Sequence, residues 1–349
     1  MPPLDPTSSA SLGAVARAAG VSTMTVSRVF RDSPQVLQAT RNRVLAAAKK
    51  TGYRPDPQVA RLMALVRSHR VRRVRVPLAV IRDDTPVDEL HAPTYHYVTT
   101  DDILNRAEQH GYRVEEFWLG RNGIGPARLG RILSTRGITG VLVSVQSTRQ
   151  FSAQFNYDGL AAATFGYGLA TPQLHRASTN MTQGILSAAA LLEARDYRRI
   201  GMAISPWIDT RAGHTYSGAW LHYQQTVADA HRVPLLLFPQ NSVERSERIF
   251  SEWMSRHRPD AVISFHAPIL RWLTQGMGLR IPEDVGLVVH DWVPSMTGFA
   301  GIDHRRAHVA AAAVDLVATQ LQHNEHGVPE VPRQILIPPR LIDGPSIRQ

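Results

Sequence analysis

Apolar residues at the start of the chain recur at helical spacing. In "SLGAVARAAG", Leu12, Val15, Ala16 and Ala19 fall at i, i+3, i+4 and i+7. That spacing predicts an amphipathic helix, with Ser11 as N-cap and Gly20 as its stop. The next ten residues, "VSTMTVSRVF" from Val21 to Phe30, are rich in β-branched side chains and lean toward extended structure by residue preference. With Ser22 as a cap, however, Val26, Val29 and Phe30 line one helical edge, and Thr23, Met24, Ser27 and Arg28 face outward. Two short helices joined by a glycine-containing turn form a helix-turn-helix pattern. A third helix is predicted over "TRNRVLAAAKKTGY", with Val44, Leu45 and Ala48 as its stripe, Lys49 and Lys50 in its last turn and Gly52 as its end. Leu37, just before it, cannot cap.

From Val76 onward the pattern changes to short apolar runs alternating with amphipathic stretches. Strands are predicted at "VPLAVI", "YRVEEFWL", "GVLVSV", "AAATFG", "RRIGMAI", "VPLLLF", "DAVISF", "DVGLVVH" and "RQILIPP". Helices are predicted at "TDDILNRAEQHG", "ARLGRILSTRG", "TQGILSAAALLEARD", "GAWLHYQQTVADAH", "SERIFSEWMSRH", "APILRWLTQGMG" and "RAHVAAAAVDLVATQLQ". Such alternation means parallel sheets with helices on both faces. Roughly 270 residues is too long for one six-stranded sheet, so two lobes are expected.

Composition sharpens this picture in one respect. Of 349 residues 43% are apolar and 19% charged, ordinary for a globular protein, and there is no cysteine to form a disulfide or thiolate site. The start, "MPPLDPTSSA", lacks the basic and apolar regions of a secretory signal, and no apolar run is long enough for a membrane span. A cytoplasmic protein without membrane contact is expected. The charge is unevenly placed. Residues 1–75 hold 14 of the 39 basic residues and 3 of the 29 acidic ones, a balance of +11, while the remainder carries −1. A small basic module on a nearly neutral body is the electrostatic footprint of a nucleic-acid binder.

Catalytic signatures do not emerge. There is no GxxxxGK[ST], GxSxG or HExxH, "GIGPAR" lacks the last glycine of a dinucleotide fingerprint, and "HNEH" sits at a helix end without further ligands nearby. No enzyme activity and no cofactor are expected. The rival reading is a cleft-type binding protein or enzyme with a non-specific nucleic-acid-binding N-terminal segment.

The motif "GVSTMTVSRV", followed by "TRNRVLAAAKKTGYRP", resembles the headpiece of the lactose/galactose-repressor family of bacterial transcription regulators. The echoes "DYRRIGMAI", "RPDAVISFH" and "PEDVGLVVHDW" extend the resemblance over nearly the whole chain. It implies a small all-α headpiece over residues 1–57, a hinge helix and basic linker over 58–75, and a two-lobed α/β core like the periplasmic binding proteins over 76–349. It also implies a repressor that binds a palindromic double-stranded DNA operator as a homodimer, under control of a small-molecule effector such as a sugar.

Residue roles follow from the same resemblance. Thr23 and Met24 match the pair that reads base edges, and Arg28 the recognition-helix arginine. Thr25, Ser27, Thr40, Arg41 and Tyr53 match contacts to the DNA backbone. Leu62 matches the minor-groove wedge, with Met63 and Leu65 as alternatives, and Arg61 a groove phosphate contact. In the core, the resemblance places lobe crossovers near Gly166, Asp291–Pro294 and Asn324–Val331. Asp291 and Trp292 match effector-side positions. Thr215 and Tyr216 stand where relatives carry an arginine that grips the effector, which leaves His214, Arg211 and Trp220 as nearby substitutes. Thr179 and Asn180 replace a polar "DN" pair.

Overall fold

The computed structural model describes residues 11–30, 36–53, 75–83, 98–119, 124–144, 155–239, 242–264 and 266–349. It separates into two compact units, Met1–Val74 and Arg75–Gln349.

The first unit holds three helices, α1 (Leu12–Ala19), α2 (Thr23–Phe30) and α3 (Gln38–Thr51). Their ends are set by side chains and glycines. Ser11 Oγ accepts the Ala14 N–H at 3.2 Å, and Ser22 Oγ accepts the Thr25 N–H at 3.2 Å. Gly20 and Gly52 take the left-handed conformation that closes α1 and α3. Leu37 precedes α3 without a side-chain cap bond, as its chemistry dictates. The core consists of Val15, Ala16, Ala19, Val26, Val29, Val44, Ala47 and Ala48, with Phe30 and Tyr53 packed on it. The stripe of α3 is therefore Val44, Ala47 and Ala48. Leu45, expected inside, is 47% exposed, because the 3–4 spacing from Val44 selects the two alanines instead.

The second unit contains two six-stranded sheets. The first sheet comprises β1 (Val76–Asp83), β2 (Tyr112–Leu119), β3 (Gly140–Ser144), β4 (Ala161–Phe165), β5 (His175–Thr179) and β11 (Gln334–Ile337), ordered β11-β5-β4-β3-β1-β2 with parallel pairing throughout. The second comprises β6 (Ile200–Ile204), β7 (Leu236–Leu237), β8 (Ala261–Ser264), β9 (Gly286–Trp292), β10 (Ala300–Asp303) and β12 (Arg340–Ile342), ordered β12-β10-β9-β8-β6-β7. Only β12 runs antiparallel to its neighbour among these pairs.

Helices cover both faces of each sheet, as the alternating pattern requires. Helices α4 (Thr100–Gln109) and α5 (Pro126–Thr135) precede β2 and β3. Then come α6 (Met181–Ala194), α7 (Pro206–Arg211), α8 (Thr215–Thr226), α9 (Val243–His257), α10 (His266–Arg271) and α11 (Arg306–His323). Leu78, Val80 and Leu142 face α4 and α11, while Ala79, Ile81 and Val141 face α5. Ile200 and Met202 face α6 and α8, while Ala203 and Val262 face α9. No helix among the described residues is long and apolar enough to cross a membrane.

Three strands and all three crossovers depart from the sequence expectation. Strand β5, "HRAST", is mostly polar yet buried throughout, and β10 and β12 are too short, at four and three residues, for an alternating pattern to register. Of "VPLLLF" only Leu236–Leu237 pairs as a strand. The chain leaves the first sheet after β5, beyond Gly166, and α6 packs on the second sheet. It leaves the second sheet after β10 rather than at Asp291–Pro294, and α11 returns to cover the first sheet. The last crossover lies between β11 and β12, not at Asn324–Val331. The reason is common to all three. Each sheet takes one more strand before the chain crosses: β5 and β10, which the sequence pattern did not reveal, and then β11, which it did but which joins the first sheet.

Candidate nucleic-acid interface and interlobe site

The outward face of α2 is built by its inward one. Burial of Val26 and Val29 fixes the rotation of the helix, and Thr23, Met24 and Arg28 are left exposed together. Met24 is 62% exposed. Thr25 and Ser27 flank this face half-buried, and the Thr25 hydroxyl lies 3.0 Å from Ser22 Oγ, within the helix cap. Thr40 and Arg41 are half-buried in the first turn of α3. Tyr53 is also half-buried, with its ring 5.5 Å from that of Phe30, so its visible work is packing. The described headpiece contains Arg17, Arg28, Arg41, Arg43, Lys49 and Lys50 and no acidic residue. Arg61 and Leu62, with the alternatives Met63 and Leu65, lie outside the described residues.

The four effector-side candidates are placed apart. Trp220 is 0% exposed in the core of the second lobe, where its Nε1 donates to the Val233 carbonyl at 3.4 Å. It offers no surface to a ligand, which corrects the expectation. His214 is exposed, and its Nδ1 lies 3.0 Å from Asp209 Oδ2. The other oxygen of buried Asp209 accepts the Ser217 N–H at 2.9 Å, so this pair organises the start of α8.

Asp291 is buried at the end of β9, paired with the Arg306 guanidinium and 3.7 Å from His304 Nε2. It thus ties the second sheet to the start of α11. Beside it, the rings of His290 and His304 stand 4.9 Å apart, and Tyr216 meets His290 edge-on at 4.9 Å. Burial, then the neighbouring His304, pushes the His290 imidazole down to about 3, and burial lowers His304 as well. Both rings are neutral at physiological pH.

Trp292 is half-buried, and its Nε1 donates to the carbonyls of Met296 and Phe299 at 3.0 and 3.1 Å. It lines a cavity of about 500 Å³ shared with Thr99, Asp102, Arg306, His308 and Arg340. Thr99 and Asp102 form the capping box of α4 in the first lobe, and Trp292 ends a strand of the second. The cavity therefore opens between the lobes.

Two arginines shape this region, Arg82, which the sequence did not single out, and Arg211, which it offered only as a substitute ligand. Arg82, 1% exposed at the end of β1, donates to Glu116 at 2.8 Å, the Val98 carbonyl at 2.9 Å and Thr100 Oγ1 at 3.4 Å. Burial raises the Glu116 carboxyl, but the bonds from Thr100 and Arg82 outweigh it and hold the group below its ordinary range. Arg211, on α7 of the second lobe, donates across to the carbonyls of Tyr167 and Gly168 in the β4–β5 loop of the first. Its guanidinium stacks 4.2 Å over Trp207. Burial pushes it down to about 10, with Asp83 opposing and Arg176 adding to the shift. Among the described residues no group of three His, Asp or Glu side chains is arranged to hold a metal, "HNEH" included.

Comparison with known proteins fits this architecture. Residues 11–56 match the model for bacterial regulatory proteins of the lacI family, and residues 189–347 match a periplasmic binding protein-like domain. The HTH-type transcriptional repressor PurR of Haemophilus influenzae is 23% identical over 353 residues, covering 96% of this chain and 97% of its own. Among solved structures, a transcriptional regulator CelR–cellobiose complex aligns with a TM-score of 0.56 at 21% identity over 96% of this chain and 99% of its own. A lac repressor dimer bound to operator and the anti-inducer ONPF aligns with a TM-score of 0.54 at 18% identity over 96% and 98%. The chain belongs to the lacI family of bacterial regulatory proteins, as a non-enzymatic, DNA-binding transcriptional regulator with a periplasmic-binding-protein-like effector domain.

Proposed function

We propose that this regulator is a cytoplasmic repressor that binds a palindromic DNA operator as a homodimer, one headpiece per half-site. The observation that carries this reading is the α2 face. Thr23, Met24 and Arg28 are exposed over a buried Val26–Val29 edge, on a headpiece whose described residues bear no negative charge. Thr25, Ser27, Thr40 and Arg41 surround that face as phosphate contacts, Tyr53 supports it through Phe30, and Arg61 and Leu62 engage the minor groove. A small-molecule effector, a sugar in the first instance, binds between the lobes beside Trp292. Asp291 takes part through its ion pair with Arg306, and His214, exposed beside Asp209, is the remaining candidate contact. Effector and operator are then reciprocally coupled, typically by ~1–3 kcal/mol.

The test is selection of bound duplexes from a random pool by the full chain, with and without candidate sugars. A palindromic consensus is expected, with affinity that falls steeply as salt rises. Recovery of no consensus, or an affinity indifferent to salt, overturns the reading.

A further inference from the structure

The α2 face raises a question of chemistry that the DNA-binding reading leaves open. Met24 is the large apolar side chain that α2 leaves exposed, and the helix does not need it for folding, since Val26 and Val29 supply its core edge. The first-turn hydroxyls of Ser22 and Thr25 are turned toward each other at the cap. A thioether is at best a weak acceptor and donates nothing, so it cannot discriminate the donors and acceptors on base edges. The apolar feature of the major groove is the methyl group at C5 of a pyrimidine. Arg28 is exposed four residues further along the same helix. At ~1.5 Å per residue that separation is ~6 Å, or about two base steps. Its planar fork suits the N7 and O6 of guanine.

We infer that Met24 reads a C5-methyl group in each operator half-site, carried by thymine or 5-methylcytosine, about two base steps from a guanine read by Arg28. This rests on the DNA-binding face proposed above and adds the base chemistry it selects.

The experiment uses the full chain and the duplex recovered from the random pool. Each thymine is replaced in turn by deoxyuridine, which removes only the methyl group. One position per half-site should then bind about three- to tenfold more weakly. In Met24→Ala the same replacement should change affinity less than twofold. That position should lie about two steps from the one where Arg28→Ala relaxes a guanine preference. A further arm places cytosine or 5-methylcytosine there. Recovery by 5-methylcytosine makes methylated DNA a ligand of the site, whereas binding that stays at the cytosine level restricts the ligand to thymine. Met24→Gln provides a second variant and should shift the preference at this position toward adenine. Equal affinity of the wild-type chain for thymine and uracil at every position overturns the inference while leaving DNA binding intact. So does a Met24→Ala chain that keeps the uracil sensitivity. A pool without consensus overturns the parent reading and this one with it.

Discussion

The Arg211 guanidinium, rooted in the second lobe, donates to the Gly168 carbonyl of the first. Tyr167, next to that carbonyl, packs against the core of the second lobe and accepts from Gln334 through its hydroxyl at 3.1 Å. Arg176 holds the same loop from within the first lobe, through the carbonyls of Gly166 and Leu169. These protein groups therefore fasten the two lobes to each other. Arg211→Ala should release this fastening, with a loss of about 1–2 kcal/mol and a larger radius of gyration in solution scattering. A scattering curve identical to that of the wild type would refute the role.

Asp291 makes a second, different demand. Removing it leaves the Arg306 charge half-buried beside neutral histidines, so Asp291→Ala should destabilise the chain by about 3 kcal/mol or more in urea titration. Asp291→Asn, which keeps the shape, is the better probe of effector response. If the alanine variant unfolds at the wild-type midpoint, the ion pair is not structural.

The His290–His304 pair sets a pH dependence whose sign is fixed by burial. Both rings are neutral in the folded chain and free to protonate near 6.5 when unfolded. The unfolded state thus binds more protons below 6.5, and stability falls as pH drops from there toward about 3, the value to which His290 is pushed. The slope should reach about 1.4 kcal/mol per pH unit for His290, with His304 adding in the same direction. Asp291 and Asp303 face the pair and oppose the lowering at His304, whereas Arg306 adds to it. His290→Phe should flatten the slope between pH 6.5 and 5, measured by denaturant titration, even if it changes the absolute stability.

Leu37 marks a weakness that can be repaired. It is 79% exposed and gives α3 no side-chain cap. Leu37→Ser should stabilise the first turn of α3 by about 1 kcal/mol, seen as several-fold slower amide exchange at Thr40 and Arg41 in the full chain. Unchanged exchange would show that the turn is already held by other means.

Gly201 is fixed by its neighbour. A Cβ there would lie 2.3 Å from the Trp253 ring, so Gly201→Ala should cost about 1–3 kcal/mol and perturb tryptophan fluorescence. A variant as stable as the wild type would mean that Trp253 moves aside freely.

Much of this molecule was legible because its logic is periodic. The α2 helix was readable against its own strand-like composition, since the Ser22 cap and the spacing of Val26 and Val29 outweigh residue preference. What escaped is buried polarity. Arg176 and Ser178 sit in the interior of β5, and a pattern of apolar residues does not register a strand whose arginine is satisfied by loop carbonyls. Missing that strand displaced the first crossover. Trp220 misled for the opposite reason. Its position beside the expected effector site suggested a ligand contact, but only the packing of α8 shows which way the ring points. Arg211 was weighed as a substitute ligand, and its reach to another lobe is a relation no linear spacing encodes.

The return of α11 to the first sheet has a consequence for the order in which the chain is made. Gln320 on that helix exchanges two hydrogen bonds with the backbone of Ala162, across 158 residues of sequence. At ribosomal speeds of ~5–20 residues per second, the emerging first lobe waits roughly 10–30 s for the helix that covers it. During that interval Ala161, Ala163 and their neighbours face the cell uncovered, so the half-synthesised regulator is the form most in need of protection from aggregation.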